Sequence, residues 1–92
     1  MRNINWSRMV TKEMKEAQAL EALRTQVTQE LQSRRSVADQ SIAPLADAVE
    51  FGEANPEEEA LLTQWKQYRI LLTRVPKQPG YPQSIDWPVP PT

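Results

Sequence analysis

The sequence predicts an all-α fold: a long N-terminal helix followed by a helical hairpin, with an extended, proline-rich C-terminal arm. Three observations carry this. Residues 11–38 contain neither Gly nor Pro. Apolar residues recur at helical period through that stretch and again over 56–75. Six of the eight prolines fall in the last seventeen residues, 76–92. At 92 residues the chain can build one modest core, so residues 1–75 are expected to form a helical domain and 76–92 an arm of the same domain.

The first helix is expected over about 11–38, a stretch rich in Ala, Leu, Glu, Gln, Lys and Arg, which lose little freedom on becoming helical. Met14, Ala17, Leu20, Leu23, Val27, Leu31 and Ala38 fall three, four or seven apart and line one face. Thr11 suits the N-cap and Glu13 the first turn, while Glu30 precedes Arg34 by four, the favourable orientation for an intrahelical ion pair. At 1.5 Å per residue this helix reaches roughly 40 Å, more than two shorter helices can cover, so part of its stripe is expected to meet another chain.

A second helix is expected over about 42–51. It starts near Ser41 with Pro44 in a first turn that needs no intrahelical N–H partners, and Ile42, Leu45, Ala46 and Val49 form its buried side. Gly52 stands where a left-handed helix stop is wanted. The third start is the sharpest: Asn55 as N-cap, Pro56 at the first helical position, and Glu57, Glu58 and Glu59 at the positive end of the helix dipole. A third helix then runs over about 56–75, its stripe made of Leu61, Trp65, Tyr68, Leu72 and Val75 and widened by Leu62. The short 52–55 connection forces the second and third helices antiparallel. In the arm, Tyr81, Ile85 and Trp87 are large apolar groups that a solvated tail has no reason to carry, so they are expected to dock.

Chemistry is scarce. The chain has no His and no Cys, which removes thiolate nucleophiles, imidazole bases, disulfides and the usual zinc ligands, so an enzyme is not expected and no cofactor is implied. Ser33, Ser36 and Ser41 have no histidine to activate them. Glu57, Glu58 and Glu59 point about 100° apart and read as a helix cap rather than a cation site. Formal net charge is −1, and the Arg34-Arg35 pair, without interleaved aromatics, reads as a solvated face rather than a phosphate contact, so nucleic acid is not an expected partner. The polar start and the lack of a long apolar run lead to the expectation of a soluble, unexported product without a membrane partner.

Trp65-Lys66-Gln67-Tyr68-Arg69 concentrates the residue types that dominate protein interfaces. Because Trp65 and Tyr68 share a stripe with Leu61 and Leu72, each reads as core or as contact surface, and Arg69 as interface or ion pair. Trp87 likewise reads as folded back on its own helices or as a partner contact. Tyr68, Arg69, Ile85, Trp87, Pro88 and Trp65 are the candidate partner-binding residues.

Beyond these patterns, the second half of the chain resembles the C-terminal region of the bacteriophage tail-fibre assembly proteins, or tail assembly chaperones. The carrying residues are Ile42-Ala43-Pro44-Leu45 with Ala48-Val49, Pro56-Glu57-Glu58-Glu59 with Leu61 and Leu62, Trp65-Lys66-Gln67-Tyr68-Arg69 with Leu72 and Arg74-Val75, and Ile85-Asp86-Trp87-Pro88. Ile4-Asn5-Trp6-Ser7 and Met9-Val10-Thr11 resemble the start of short members. Many members carry an additional N-terminal region that is expected to be missing here, and its functions are not transferred. The resemblance implies a non-catalytic chaperone that binds the distal part of a tail-fibre polypeptide in the host bacterial cytoplasm and assists its folding, trimerisation or attachment. Self-association through the long helix is a further expectation. Two other readings stay open: a structural virion subunit retained at the fibre tip, and a small helical nucleic-acid-binding regulator.

Overall fold

In the computed structural model of the chain, residues 12–91 are described, and they form two α-helices rather than three. Helix α1 spans Lys12–Glu50, helix α2 spans Pro56–Arg74, and a 3-10 turn, Val75–Lys77, opens the arm. The expected helices over 11–38 and 42–51 are one continuous element, with Pro44 inside it. A proline there removes one backbone hydrogen bond and crowds the carbonyl four residues earlier, and it biases Ala43 away from helical angles. Packing outweighs that cost. Fully buried Ala38 and buried Ile42 lie before Pro44, and half-buried Leu45 and Ala46 lie after it, all against one core. A break would pull one group or the other away. Pro44 and Gln40 are themselves exposed, so water can reach the carbonyl that loses its partner. Thr11, expected as N-cap, and the Ile4–Thr11 motif lie outside the described residues.

The hairpin between α1 and α2 is locally encoded. Gly52 takes φ +69°, the Gly52 N–H donates to the Val49 carbonyl at 3.1 Å, and the Glu53 N–H donates to the Ala48 carbonyl at 2.8 Å. This is the Schellman pattern, which needs a left-handed residue where Gly52 stands. Three residues on, Asn55 caps α2. Its side-chain oxygen accepts from the Glu58 N–H at 2.8 Å, while the Glu58 carboxylate accepts from the Asn55 N–H at 3.1 Å, with Pro56 at the first helical position. The reciprocal capping box satisfies two donors that the helix start would otherwise leave open.

At 1.5 Å per residue the 39 residues of α1 extend about 58 Å, and the 19 of α2 about 28 Å. Only the C-terminal half of α1 is therefore paired. The core joins Val27, Leu31, Ala38 and Ile42 of α1 to Leu62, Trp65, Tyr68 and Leu72 of α2, closed by Val75. Leu72 and Val75 are fully buried, and Leu62, expected only to widen the stripe, is buried while Leu61 is half-buried. Val49, expected on the buried side, is exposed at the hairpin tip beside Phe51. Along the unpaired half of α1, Leu20 and Leu23 are half-buried while Met14 and Ala17 are exposed.

After α2 the chain turns tightly before its final extended stretch. The Gln78 N–H donates to the Val75 carbonyl, the Tyr81 N–H to Gln78 and the Ser84 N–H to Gly80, the last at 2.8 Å. A β-carbon on Gly80 would lie 2.5 Å from the Ser84 carbonyl oxygen, so this turn closes only around glycine. The Tyr81–Pro82 peptide bond is cis and Pro82 is buried. Residues 85–91 have no regular secondary structure and run back along the hairpin.

Candidate partner-binding surface

The arm is tied to itself at one point and to α1 at another. The Gln78 side-chain amide bonds both backbone groups of Asp86: its nitrogen donates to the Asp86 carbonyl at 2.8 Å, and its oxygen accepts from the Asp86 N–H at 2.8 Å. This pairing copies the reach of a neighbouring strand with one side chain. One residue further, the Trp87 ring lies over Arg34 of α1, with the guanidinium carbon 4.4 Å from the ring centroid, inside the range of a cation–π contact. Tyr81, Ile85 and Trp87 are all half-buried against the core.

Arg34 is the hub of this edge. Its Nε donates to Glu30 Oε1 at 2.8 Å. Partial burial pulls its pKa down, yet hydrogen bonds to Glu30 and to the Tyr68 side chain outweigh that effect and raise it above the ordinary guanidinium value. As a guanidinium, the cation under Trp87 keeps its charge. Behind it, Tyr68 meets Trp65 edge to face, with ring centroids 5.7 Å apart and planes at 84°. On the other flank of the hairpin, Arg69 Nη1 donates to Asp39 Oδ1 at 3.0 Å. Both members of that pair are substantially exposed, so it contributes no more than about 1 kcal/mol.

The expected site residues are thus distributed unevenly. Trp65, 9% exposed, and Tyr68, 4% exposed, lie in the core. Arg69 lies in a substantially exposed ion pair with Asp39. Ile85, Trp87 and Pro88 are half-buried on the arm. The structure brings Tyr68 and Trp87 together around Arg34, and the 100° step between successive helical residues turns Arg69 to the opposite flank. Its sequence neighbours alone predict a solvated face for Arg34. The arm covers it instead, because Trp87 returns to α1 from 53 positions later in the chain.

Beside Trp87 a cleft of about 160 Å³ is lined by Leu71, Arg74, Gln78, Asp86, Trp87 and Pro88. An open groove of about 360 Å³ adjoins it, lined by Gln67, Ile70, Leu71 and Arg74, so the two share Leu71 and Arg74. Ile70 is 49% exposed and Leu71 47%. These residues were not among those singled out from the sequence. Their signal was present, since Ile70 and Leu71 are apolar yet lie off the Leu61–Trp65–Tyr68–Leu72 stripe. Exposed Val89 extends the apolar surface along the arm. A third groove of about 290 Å³, between Glu16, Ala19, Leu20 and Leu23 of α1 and Gln83 of the arm, lies along the unpaired half of α1. Among the described residues, no cluster of three or more acidic side chains is placed to hold a metal ion, and no helix is long and apolar enough to cross a membrane.

A family model described as Caudovirales tail fibre assembly protein, lambda gpK, matches residues 3–92 of this sequence. The chain is 40% identical over 79 residues to Protein TfaD of Escherichia coli (strain K12), covering 85% of this chain and 41% of that protein. It is 48% identical over 52 residues to the Prophage tail fiber assembly protein homolog TfaR of the same organism, covering 56% of this chain and 26% of the relative. It is 44% identical over 59 residues to the Tail fiber assembly protein of Escherichia phage lambda, covering 64% and 29%. The chain therefore spans less than half the length of these relatives. No solved structure matches it.

Proposed function

Since this chain belongs to the tail fibre assembly protein family, we propose that it binds a phage or prophage tail-fibre polypeptide and assists its folding, trimerisation or attachment without catalysis. The observation that carries this reading is the apolar edge where α2 meets the arm. There Ile70 and Leu71 are each about half exposed and adjoin Trp87 and Pro88 across two continuous grooves. Apolar side chains grouped in this way, with polar residues around them, suit a protein partner. The chain contains no histidine, so its serine and threonine hydroxyls have no imidazole base.

The mechanism is burial. Unassembled fibre chains expose apolar surface and open strand edges that later become trimer contacts, and those surfaces aggregate while they wait. A chaperone that covers them needs no nucleotide. Its release follows when the trimer interface, larger and better packed, competes for the same surface. Assembly of this kind takes place in the host bacterial cytoplasm, and the distal part of the fibre is the proposed partner region. The first turns of α1, which reach past α2, provide a second surface for self-association through Leu20 and Leu23.

Co-expression with the fibre of the same phage or prophage tests the reading. Soluble fibre and a co-purifying complex are expected only when this protein is present. Truncation after Lys77 removes the arm and is expected to abolish co-purification while the helices remain. Fibre solubility independent of the protein overturns the proposal.

A further inference from the structure

The outward side of α2 carries a row of three residues at one-turn spacing: Lys66, Ile70 and Arg74. Positions four apart lie above one another on a helix, so at 1.5 Å per residue the row rises about 6 Å per step and about 12 Å in all. Its centre is apolar and open, with Ile70 backed by Leu71 in the larger groove. Both its ends are cationic. From Trp65 to Lys77 the chain carries Lys66, Arg69, Arg74 and Lys77 and no acidic residue. Of these four, Arg69 is paired with Asp39, while Lys66, Arg74 and Lys77 have no carboxylate in ion-pair range among the described residues. Asp86 lines the cleft beside Arg74 but lies outside ion-pair range, and an exposed apolar centre between cations without ion-pair partners asks for a partner with the inverse pattern.

We propose that this row receives an extended, acidic segment of the fibre polypeptide, in which one apolar residue stands midway between two carboxylates in the order acid–x–apolar–x–acid. The inference rests on the fibre-binding reading above. In an extended chain alternate side chains share a face, and each residue advances about 3.3 Å. Residues i, i+2 and i+4 therefore stand about 6.6 Å apart and span about 13 Å, which matches the row on α2 step for step. The arm at Trp87 and Pro88 borders the cleft that adjoins this groove on the Leu71 side.

The rival occupant is visible in the chain itself. At the hairpin tip Phe51, 75% exposed, stands between Glu50 and Glu53, so a second copy could present an acidic, apolar tip to the groove. The fibre segment is preferred because the acids of the tip stand one residue before and two residues after Phe51, across the left-handed Gly52, and so lack the even two-residue spacing that the row on α2 calls for.

The test is fibre co-purification at rising salt with the full chain and three variants: Lys66→Glu with Arg74→Glu, Lys66→Gln with Arg74→Gln, and Ile70→Ser. A control, Lys12→Glu with Lys15→Glu, changes net charge equally on a distant part of α1. Circular dichroism confirms the fold of each. The charge-reversed pair is expected to lose about tenfold or more in affinity, the neutralised pair to lose less and to become insensitive to salt, Ile70→Ser to weaken binding at all salt concentrations, and the control to match the parent. If the parent rescues the fibre and all three groove variants do so equally, the inference falls while the chaperone reading stands. If the parent itself fails to bind fibre, both fall. If sedimentation shows concentration-dependent association of the parent that Phe51→Ser and the charge-reversed pair both abolish, the groove belongs to a second copy and the fibre assignment is overturned.

Discussion

Replacing Pro44 by alanine tests whether α1 is a single helix. In the structure Pro44 lies in the interior of Lys12–Glu50, so its missing N–H leaves the Gln40 carbonyl without its helical partner. Alanine restores that bond and relieves the crowding of the pyrrolidine ring. One intramolecular hydrogen bond contributes about 0.5–1.5 kcal/mol, and the full difference between proline and alanine in a helix interior is about 3 kcal/mol. The gain therefore lies between about 1 and 3 kcal/mol. For a domain of this size each kcal/mol moves Tm by roughly 4–8 °C, so a rise of at least about 4 °C is expected in a circular-dichroism melt. Urea unfolding should show a higher midpoint at an unchanged slope. Because Pro44 is exposed, the methyl of alanine meets no packing constraint that would offset the gain. A two-helix arrangement with Pro44 in a first turn leads to the opposite result. There the proline breaks no bond and restricts the unfolded chain, so alanine would leave Tm unchanged or lower it. An unchanged or lowered Tm would refute the continuous helix.

Other substitutions probe the core, the turn and the arm. Leu72→Ala empties a fully buried site and should cost about 3 kcal/mol, read as a fall in the urea midpoint. Gly80→Ala places a methyl 2.5 Å from the Ser84 carbonyl oxygen and should detach the turn, lowering Tm and increasing proteolysis between residues 78 and 85. Trp87→Ala removes the ring over Arg34; because the site is half-buried, a loss of about 2 kcal/mol is expected, with the cation–π contact accounting for roughly 0.5–1 of it. Arg34→Lys should lose part of the same increment, since an ammonium stacks less well than a guanidinium; a double-mutant cycle between the two positions measures it.

The amino-acid sequence alone determined what depends on residues within about one helical turn. The capping box at Asn55 and Glu58, the proline at position 56, the left-handed Gly52 and the Glu30–Arg34 pair all follow from local spacing, because their partners lie three to five positions away. The stripes over α1 and α2 follow from the 3.6-residue period, and the docking of Tyr81, Ile85 and Trp87 from their apolar area. Tertiary structure alone decided the continuity through Pro44, where local preference and core packing conflict and the burial of Ala38 and Ile42 prevails. It also decided which aromatic faces what. Trp65 and Tyr68 share one pattern with any interface stripe, and only the arrival of α1 and the arm over them makes them core. The Asp39–Arg69 and Arg34–Trp87 contacts join residues 30 and 53 positions apart, a separation at which sequence spacing carries no geometry. The exposed Ile70 and Leu71 are the complement of that packing: they stay open because α1 takes the other side of α2 and the arm stops at their edge.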